Sequence, residues 1–433
     1  MSGPSDSERI AISEIVARGI RRRRAAEARF KTYGAIAILI AIAFLLTLFA
    51  TIFSNGISAF TQTHIRLELA LDPALIDPDG TRDPEKLKSG NYRKIIETAL
   101  FSRLNVDAKS PDARLARLML SDFSHYELRD RVVGNPDLVG TTESVWLPAH
   151  SNIDQYIKGA IKKETPNERR LVKDQQIAWA DELAAAGDLK RTFNRYLFTR
   201  GASSKPELAG LEVALIGSFW MMLIVLVFAV PIGVSAAVYL EEFAKKNSLN
   251  DIIEVNINNL AAVPSIVFGI LGLAVFVNTI GLPRSTPVVG GLVLTLMTLP
   301  TIIIATRAAL KAVPPSIREA ALGVGASKMQ SIFHHVLPLS APAVLTGTII
   351  GLAQALGETA PLLIVGLFAF VVQAPATPFD SSSALPVQIY LWATYQERGF
   401  VERTSAGIIV LLAFMIGMNL LAIILRSRFE RRW

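Results

Sequence analysis

The stretch LPLSAPAVLTGTIIGLAQALGETAPLLIVGLFAFVV, residues 337–372, decides the fold class, and Glu358 is its single formally charged side chain. A helix that crosses a bilayer needs about 20 apolar residues, and this stretch is longer. Gly357 loosens the backbone beside the carboxylate, and Pro361 lacks the N–H that an unbroken helix would use. The pattern therefore predicts one long membrane span that either continues beyond the bilayer or breaks near Glu358.

Further apolar blocks of membrane-spanning length lie on both sides of this stretch. They are residues 34–53, 213–240, 261–280, 288–306 and 406–425, all without charge. The whole chain of 433 residues is 51% hydrophobic, which is more than a soluble protein of this size carries. We therefore predict an all-α polytopic membrane protein with six transmembrane helices.

Basic residues indicate how the chain is oriented. RRRRAAEARFK (21–31) precedes the first span, and RSRFERRW (426–433) follows the last. Basic clusters beside short loops favour the cytoplasmic side, so both termini are predicted in the cytoplasm of a multi-pass protein of the cytoplasmic (inner) membrane. Reading 337–372 as two spans would place the basic tail outside. A cleavage near Ser58 or Ala59, which would remove the N-terminal segment, stays an open alternative.

The chain is predicted to have five parts. They are a basic cytoplasmic N-terminus (1–33), a first transmembrane helix (34–53), a polar extracytoplasmic domain inserted between the first and second spans (54–209), a transmembrane domain (210–426) and a basic cytoplasmic tail (427–433). Apolar spacing in NERRLVKDQQIAWADELAAAGDLKRTFNRYL (167–197) predicts a helix. No catalytic constellation stands out in the extracytoplasmic part, which favours a structural or docking role.

Composition excludes several kinds of chemistry. There is no cysteine, so disulfides and thiolate sites are impossible. The five histidines show no ligand spacing, and the adjacent pair His334 and His335 would point apart on a helix, so we predict no metal site. The net charge of +7 is concentrated at membrane edges, which indicates contact with membrane lipid rather than nucleic acid.

A polar loop between two spans carries the most informative soluble pattern, VPPSIREAALGVGASKMQSIFHHVLPLSAP (313–342). Ser316 and Glu319 fit a capping box that would start a short helix after two prolines. Gly323 and Gly325 allow a bend, and a second helix follows. The spacing predicts a helix, a glycine break and another helix on the cytoplasmic face.

This loop, within 313–340, resembles the EAA loop of ABC-importer permeases. The resemblance implies that Glu319, Ala320, Ala321 and Gly325 dock into a groove of a separate ATPase subunit. The chain contains no G-x-x-x-x-G-K-[ST] phosphate loop of its own. The resemblance thus implies a transport subunit, not an enzyme, that binds no cofactor itself, while ATP is used by the partner ATPase.

Two other stretches, NLAAVPSIVFGILG (259–272) and ALGETAPLLIVG (355–366), resemble the phosphate permeases of the PstA type. The resemblance covers residues 211–426, and the segment 30–205 looks like an additional domain found in one branch of that family. It implies a permease that moves inorganic phosphate. The implied partners are a homologous second permease (PstC-like), an ATPase dimer (PstB-like) and a periplasmic phosphate-binding protein (PstS-like).

The same resemblance and the chemistry of Glu358 together predict a substrate path formed by Gln354, Glu358 and Thr359, beside a helix break at Gly357 and Pro361. A carboxylate within a span costs on the order of 3 kcal/mol, so it should face a wet path or a partner. It can accept a hydrogen bond from protonated phosphate, which sulfate cannot donate.

Other interpretations of the same residues stay open. Glu358 could be protonated, or could pair with a basic residue of another subunit, and so only hold helices together. The small-residue run at Gly347 and Gly351 predicts a closely packed helix in either case. Gln354 stands where the resembled family often has arginine, so the path is less cationic than usual.

Two alternative functions also stay open. One is a permease for another oxyanion, such as sulfate or molybdate. The other is a membrane signalling protein with an external sensor domain, which would need a cytoplasmic output module that the sequence does not show.

Overall fold

The first helix leads into a domain that follows it along the chain. The structure is a computed structural model that describes residues 6–245 and 247–429. The outermost residues of the predicted basic termini, 1–5 and 430–433, lie outside this range. The chain divides into two compact units, Met1–Ser54 and Asn55–Trp433. Helix α1 (Asp6–Gly56) includes the basic stretch 21–31, and its apolar side chains, such as Phe44, are exposed, as a lipid-facing helix requires.

A three-stranded antiparallel sheet lies within residues 61–193, so the prediction of an all-α protein is wrong for this part; the chain is mostly helical. The strands are β1 (Thr61–Ala70), β2 (Thr142–Pro148) and β3 (Leu189–Phe193), in the spatial order β2-β1-β3. Along β1, Ile65 and Leu67 are buried, whereas Arg66 lies on the exposed face. This alternation with period two is what a sheet with one covered face requires.

Short helices cover the buried face of the sheet and complete the domain core. They are α2 (Pro73–Ile76), α3 (Pro84–Leu87), α4 (Tyr92–Leu104), α5 (Asp112–Arg117), α6 (Ser124–Gly134), α7 (Ser151–Ile157) and α8 (Asp174–Ala185). Helix α9 (Tyr196–Thr199) follows β3, and its buried Leu197 packs in a separate apolar cluster. The helix predicted over 167–197 is therefore wrong at both ends. Gly187 adopts a φ of +76° just after α8, and the chain then turns into β3.

Long apolar helices and several short helices form the remainder of the described chain. They are α10 (Glu212–Val238), α11 (Ser248–Ala261), α12 (Ser265–Gly272), α13 (Pro287–Lys311), α14 (Pro315–Gly323), α15 (Lys328–Ser331), α16 (Leu337–Gly357), α17 (Ala360–Ile364), α18 (Leu385–Thr394) and α19 (Gly399–Phe429). π-helical turns follow α10 (Tyr239–Phe243), α12 (Leu273–Thr279) and α15 (Ile332–Val336). In the described residues, five helices could cross a membrane by length and composition, or six if α11 and α12 with its π turn form one bent span.

Small residues let the central helices of this region approach closely. A Cβ on Gly233 of α10 would lie 2.8 Å from a methyl of Ile302 on α13, and one on Gly291 of α13 would lie 2.7 Å from Ile224. Gly347 of α16 also packs against α13, where it faces the side chain of Ala305, three residues after Ile302. The close packing predicted from the Gly347–Gly351 motif is confirmed, and the partner is α13 of the same chain.

A buried charged cluster joins the sheet-containing domain to α19. Lys158, at the end of α7, lies 2.6 Å from Asp154 and 2.8 Å from Glu402 in the first turn of α19. Asp154 also accepts hydrogen bonds from the backbone and hydroxyl of Thr63 on β1. Lys158 is 3% exposed, and burial of such charges is tolerated because each has partners. The first turn of α19 is thus part of the polar core of the domain.

Candidate functional site

Two membrane segments of this chain are interrupted, and they contact each other. The first bends by 104° between α11 and α12, where the backbone passes through Pro264. The second stops at Gly357, and after Glu358 and Thr359 the short helix α17 begins. Interrupted helices expose backbone groups that a continuous helix would pair, which is how many transporters build substrate sites.

Glycine permits the contact between the two interrupted segments. A Cβ on Gly269 of α12 would lie 2.8 Å from Pro361 Cα, 2.9 Å from the Pro361 carbonyl oxygen and 3.1 Å from Ile364 Cβ. Two of these atoms belong to the backbone, so they cannot rotate away. The position of α17, and with it the break beside Glu358, is therefore set by direct backbone packing against α12.

The three residues predicted for the substrate path lie around this break. Gln354 lies in the last turn of α16 and is exposed, whereas Glu358 directly follows the helix and is half-buried. Glu358 itself has an extended backbone (φ −76°, ψ 129°) and closes α16 as its C-cap. Thr359, half-buried, is the N-cap residue of α17. No ion pair of Glu358 occurs within residues 6–245 and 247–429.

The far end of α17 is held by a separate set of bonds. Gly366 adopts a φ of +96°, and its carbonyl accepts a hydrogen bond of 2.6 Å from the hydroxyl of Ser285. The chain then runs past the sheet-containing domain, where the backbone N–H of Ala202 donates to the carbonyl of Val371 at 2.9 Å. The segment that follows the break is therefore fixed both to the residues before α13 and to the domain.

At the opposite end of the helices, α14 and α15 form the loop that resembles the EAA loop. Gly325 has a φ of +90°, a conformation that glycine adopts without steric cost, and it separates the two short helices. Glu319 and Ala320 are exposed, whereas Ala321 is only 6% exposed and faces the interior of this chain. Of the two alanines, only Ala320 has a surface available to another subunit.

The capping box predicted at the start of α14 is wrong. Pro314 occupies the N-cap position of α14, and no side chain caps its backbone, because the helix begins two residues earlier than the motif requires. A capping box is present at α15 instead, where Ser327 and Gln330 exchange hydrogen bonds with each other's backbone. Two prolines in succession fixed the helix start more strongly than the hydroxyl of Ser316 could.

Two apolar residues of this loop belong to the exposed surface and were missed by sequence reasoning. Leu322 is 50% exposed and Val324 is 87% exposed. Exposed apolar side chains beside Glu319 and Ala320 are a surface suited to contact with another protein. No local signal marks them, since Leu322 directly follows the buried Ala321 and Val324 is the C-cap residue just beyond α14.

Metal chemistry has no geometric basis in the part of the chain that the structure describes. No group of three or more histidine, cysteine, aspartate or glutamate side chains there could hold a metal ion. His334 and His335 are both exposed. The candidate site thus consists of a carboxylate at a helix break and, at the other end of the same helices, the loop formed by α14 and α15.

The long apolar helices, two of them interrupted, fit one class of protein, a membrane-embedded transport subunit. Residues 229–433 match the model of the binding-protein-dependent transport system inner membrane component. Residues 17–167 match a domain of unknown function, DUF3333. That match ends before α8 and β3, which belong to the same core.

Curated relatives agree with the family match. The chain is 30% identical over 234 residues to the phosphate transport system permease protein PstA of Mycobacterium leprae, which is 54% of this chain and 76% of that protein. It is 32% identical to PstA of Yersinia pestis, over 49% of this chain and 71% of that protein. It is also 34% identical to the probable ABC transporter permease protein YqgI of Bacillus subtilis, over 36% of this chain and 52% of that protein.

The chain belongs to the family of binding-protein-dependent ABC-transporter permeases. It is a multi-pass inner membrane protein and a transport subunit that does not hydrolyse ATP; such subunits bind no cofactor, and ATP is handled by the ATPase. Among solved structures, the methionine ABC transporter MetNI in an inward-facing conformation is similar, with a TM-score of 0.42 and 17% identity over 51% of this chain and 97% of that chain.

Proposed function

We propose that this chain is the permease subunit of an ATP-driven importer that moves inorganic phosphate across the cytoplasmic membrane. The observation that carries this proposal is its similarity to PstA proteins from several bacteria, at about 30% identity over more than two thirds of each. The match to YqgI, a permease whose name gives no substrate, supports the class of transporter without naming its cargo.

The proposed assembly contains this chain, a homologous second permease, two copies of an ATPase and a periplasmic phosphate-binding protein. With six spans, both termini would lie in the cytoplasm, and the domain of residues 54–209 would lie outside. The exposed side chains of α11, on which no residue is fully buried, suit contact with the second permease or with lipid.

Glu358 is placed where a purely structural carboxylate would be unfavourable. It closes the C-terminal end of α16, where the helix dipole is negative, and cations stabilise such ends by about 0.3–1 kcal/mol while anions oppose them. A carboxylate within an apolar span adds a further cost on the order of 3 kcal/mol. We infer that Glu358 faces the substrate path, with Gln354 one turn earlier and Thr359 one residue later.

The chemistry of the proposed cargo explains a carboxylate on an anion path. Phosphate near neutral pH keeps at least one P–O–H group, which donates a hydrogen bond to the carboxylate, whereas sulfate has no such proton. The negative charge of Glu358 meanwhile repels the anion, so binding stays weak and release is fast. A transport path needs a site that prefers a protonated oxyanion but binds it weakly, so that the ion is released quickly.

The loop of α14 and α15 is proposed to dock onto the ATPase. Glu319, Ala320, Leu322 and Val324 supply the exposed surface, and Gly325 sets the angle between the two short helices. Ala321 contributes from the inside, since it packs α14 against the rest of the chain. ATP-driven closure of the ATPase dimer would then move α14 and alternate the access of the path.

The test is uptake of labelled phosphate at micromolar concentration by cells that lack this gene and carry either the unaltered chain or Glu358→Gln, with excess sulfate as competitor. We expect the unaltered chain to restore uptake that resists sulfate. We expect Glu358→Gln, at equal abundance in the membrane, to lower the ratio of phosphate to sulfate transported.

Glu397→Gln is the matched control, because Glu397 is an exposed carboxylate whose nearest cation, Lys205, lies 3.7 Å away. This variant should transport like the unaltered chain. Absence of phosphate uptake with all partner subunits present would refute phosphate as the cargo. Uptake of sulfate or molybdate in its place would assign another oxyanion, an outcome consistent with the uncharged Gln354.

A further inference from the structure

The side chain of Arg318 connects α14 to two long helices at once. It lies in α14 next to Glu319, and its guanidinium is partly buried. Nη2 donates to Glu242 Oε1 at 2.6 Å, and Nε donates to the same carboxylate at 3.1 Å. Glu242 stands in the π turn that continues α10, and its side chain is only 7% exposed.

The remaining donors of Arg318 reach the end of α13. Nη1 donates to the carbonyl of Val313 at 2.8 Å, and Nη2 donates to the carbonyl of Leu310 at 2.9 Å. Carbonyls at the C-terminus of a helix have no partner within the helix, so a guanidinium there satisfies groups that would otherwise need water. One planar side chain therefore bonds α14, α13 and the turn after α10 together.

The neighbouring carboxylate, Glu241, has different partners. It lies 3.4 Å from Arg307 and 3.6 Å from Lys311, both on α13, and Arg307 also pairs with Glu254 of α11 at 3.0 Å. Glu241 thus joins long helices to one another, whereas Glu242 joins them to α14. Glu241 and Glu242 are adjacent in one π turn, yet each pairs with a different set of basic residues.

We propose that Arg318, through Glu242, is the positioning residue that makes α14 and the ends of α10 and α13 move as one body when the ATPase acts. This inference rests on the proposed docking of α14. Lysine could pair with Glu242 but could not bond the carboxylate and both carbonyls, because its ammonium lacks the planar fork of arginine. Without the bonds of Arg318 to Glu242 and to the two carbonyls, α14 would move with the ATPase while the ends of α10 and α13 would not.

The first test measures substrate transported per ATP hydrolysed by the complete transporter in liposomes. Arg318→Met should lower this ratio at least fivefold while ATP hydrolysis continues, and Arg318→Lys should give an intermediate ratio. Glu242→Gln should also lower it, whereas the matched control Glu241→Gln should not. A ratio unchanged in Arg318→Met, or an equal loss in both glutamine variants, would overturn the proposal.

The second test needs no transported substrate. Because the chain has no cysteine, Ser316→Cys on the exposed side of α14 and Tyr239→Cys at the start of the π turn accept spin labels at unique sites. Their separation should be the same with and without ATP when Arg318 is present, and should change with ATP in Arg318→Met. If ATP leaves the separation of the labels unchanged in Arg318→Met as well, the proposed role of Arg318 is refuted. Failure of phosphate as the cargo would leave this measurement intact.

Discussion

Replacing Gly269 by alanine tests how tightly the two interrupted segments are packed. The new Cβ would lie 2.8 Å from Pro361 Cα and 2.9 Å from the Pro361 carbonyl oxygen. Ordinary contacts begin near 3.4 Å, so α12 and α17 must separate by roughly 0.6 Å. Overpacking of this kind costs about 1–3 kcal/mol, and alanine returns up to about 1 kcal/mol of helix propensity. We expect a net loss of about 1–2 kcal/mol in the free energy of unfolding.

The assay is thermal unfolding of the purified chain in detergent, together with uptake by cells. For a cooperative unit of about 200 residues, the expected loss lowers the midpoint by roughly 2–8 °C. Gly357→Ala is the matched control, since a Cβ there meets nothing within 4 Å and the residue ends α16. That variant should unfold at the same temperature or slightly higher. Equal midpoints for the two variants would refute tight backbone packing between α12 and α17.

Three further substitutions test ion pairs and the glycine turn described above. Lys158→Met leaves the carboxylates of Asp154 and Glu402 buried without the cation that pairs with them, and should lower the free energy of unfolding by about 3–5 kcal/mol. Lys86→Met removes only an exposed ion pair with Asp79 and should not change the thermal unfolding measurably. Gly325→Ala forces a side chain into a φ of +90° and should cost about 1–2 kcal/mol and slow uptake, unlike Gly323→Ala, which has open space. Burial opposes ionisation of Asp188, but two guanidinium groups hold its pKa below the usual value, so the stability it confers is present above roughly pH 4 and lost as the pH falls further; unfolding of Asp188→Asn should lack this acid dependence.

The candidate membrane-spanning helices could be predicted from the sequence, because an uncharged apolar block of about 20 residues is typical of a helix that crosses a bilayer. The position of the interruption was also readable, since a charge, a glycine and a proline within five residues oppose a continuous helix. The bend between α11 and α12 was not predicted. Pro264 permits a helix to end there, but the angle depends on how α12 packs, through Gly269 against α17 and through Gly272 against Val293 of α13.

The sheet was missed for a different reason. β1 carries a readable alternation, with Ile65, Leu67 and Leu69 inward and Arg66 and Glu68 outward. β3 is short, and it pairs with residues far away in the chain, such as Ile65 opposite Leu189. Local patterns cannot report such pairings, and the residues before β3 continue a helical spacing until a glycine ends it.

The candidate site was predictable in its chemistry but not in its surfaces. The four-residue spacing of Gln354 and Glu358 places them on one side of any helix. By contrast, nothing local distinguishes Ala320 from Ala321, and only the fold shows that one is exposed and the other buried. The bonds of Arg318 to α13 and to the turn after α10 likewise depend on how helices from different parts of the chain meet.

The cluster around Lys158 has a consequence for the order in which the protein is made. Its partner Glu402 lies 244 residues later in the chain, in the final helix. Domains generally fold as units during synthesis, N-terminal parts first. The sheet and its helices can collapse early, with Asp154 alone beside the lysine, but their polar centre is complete only after α19 arrives. Insertion of the last helix therefore completes the polar core of a domain whose own sequence ended long before. A ribosome that stalls before residue 399 leaves Lys158 without Glu402.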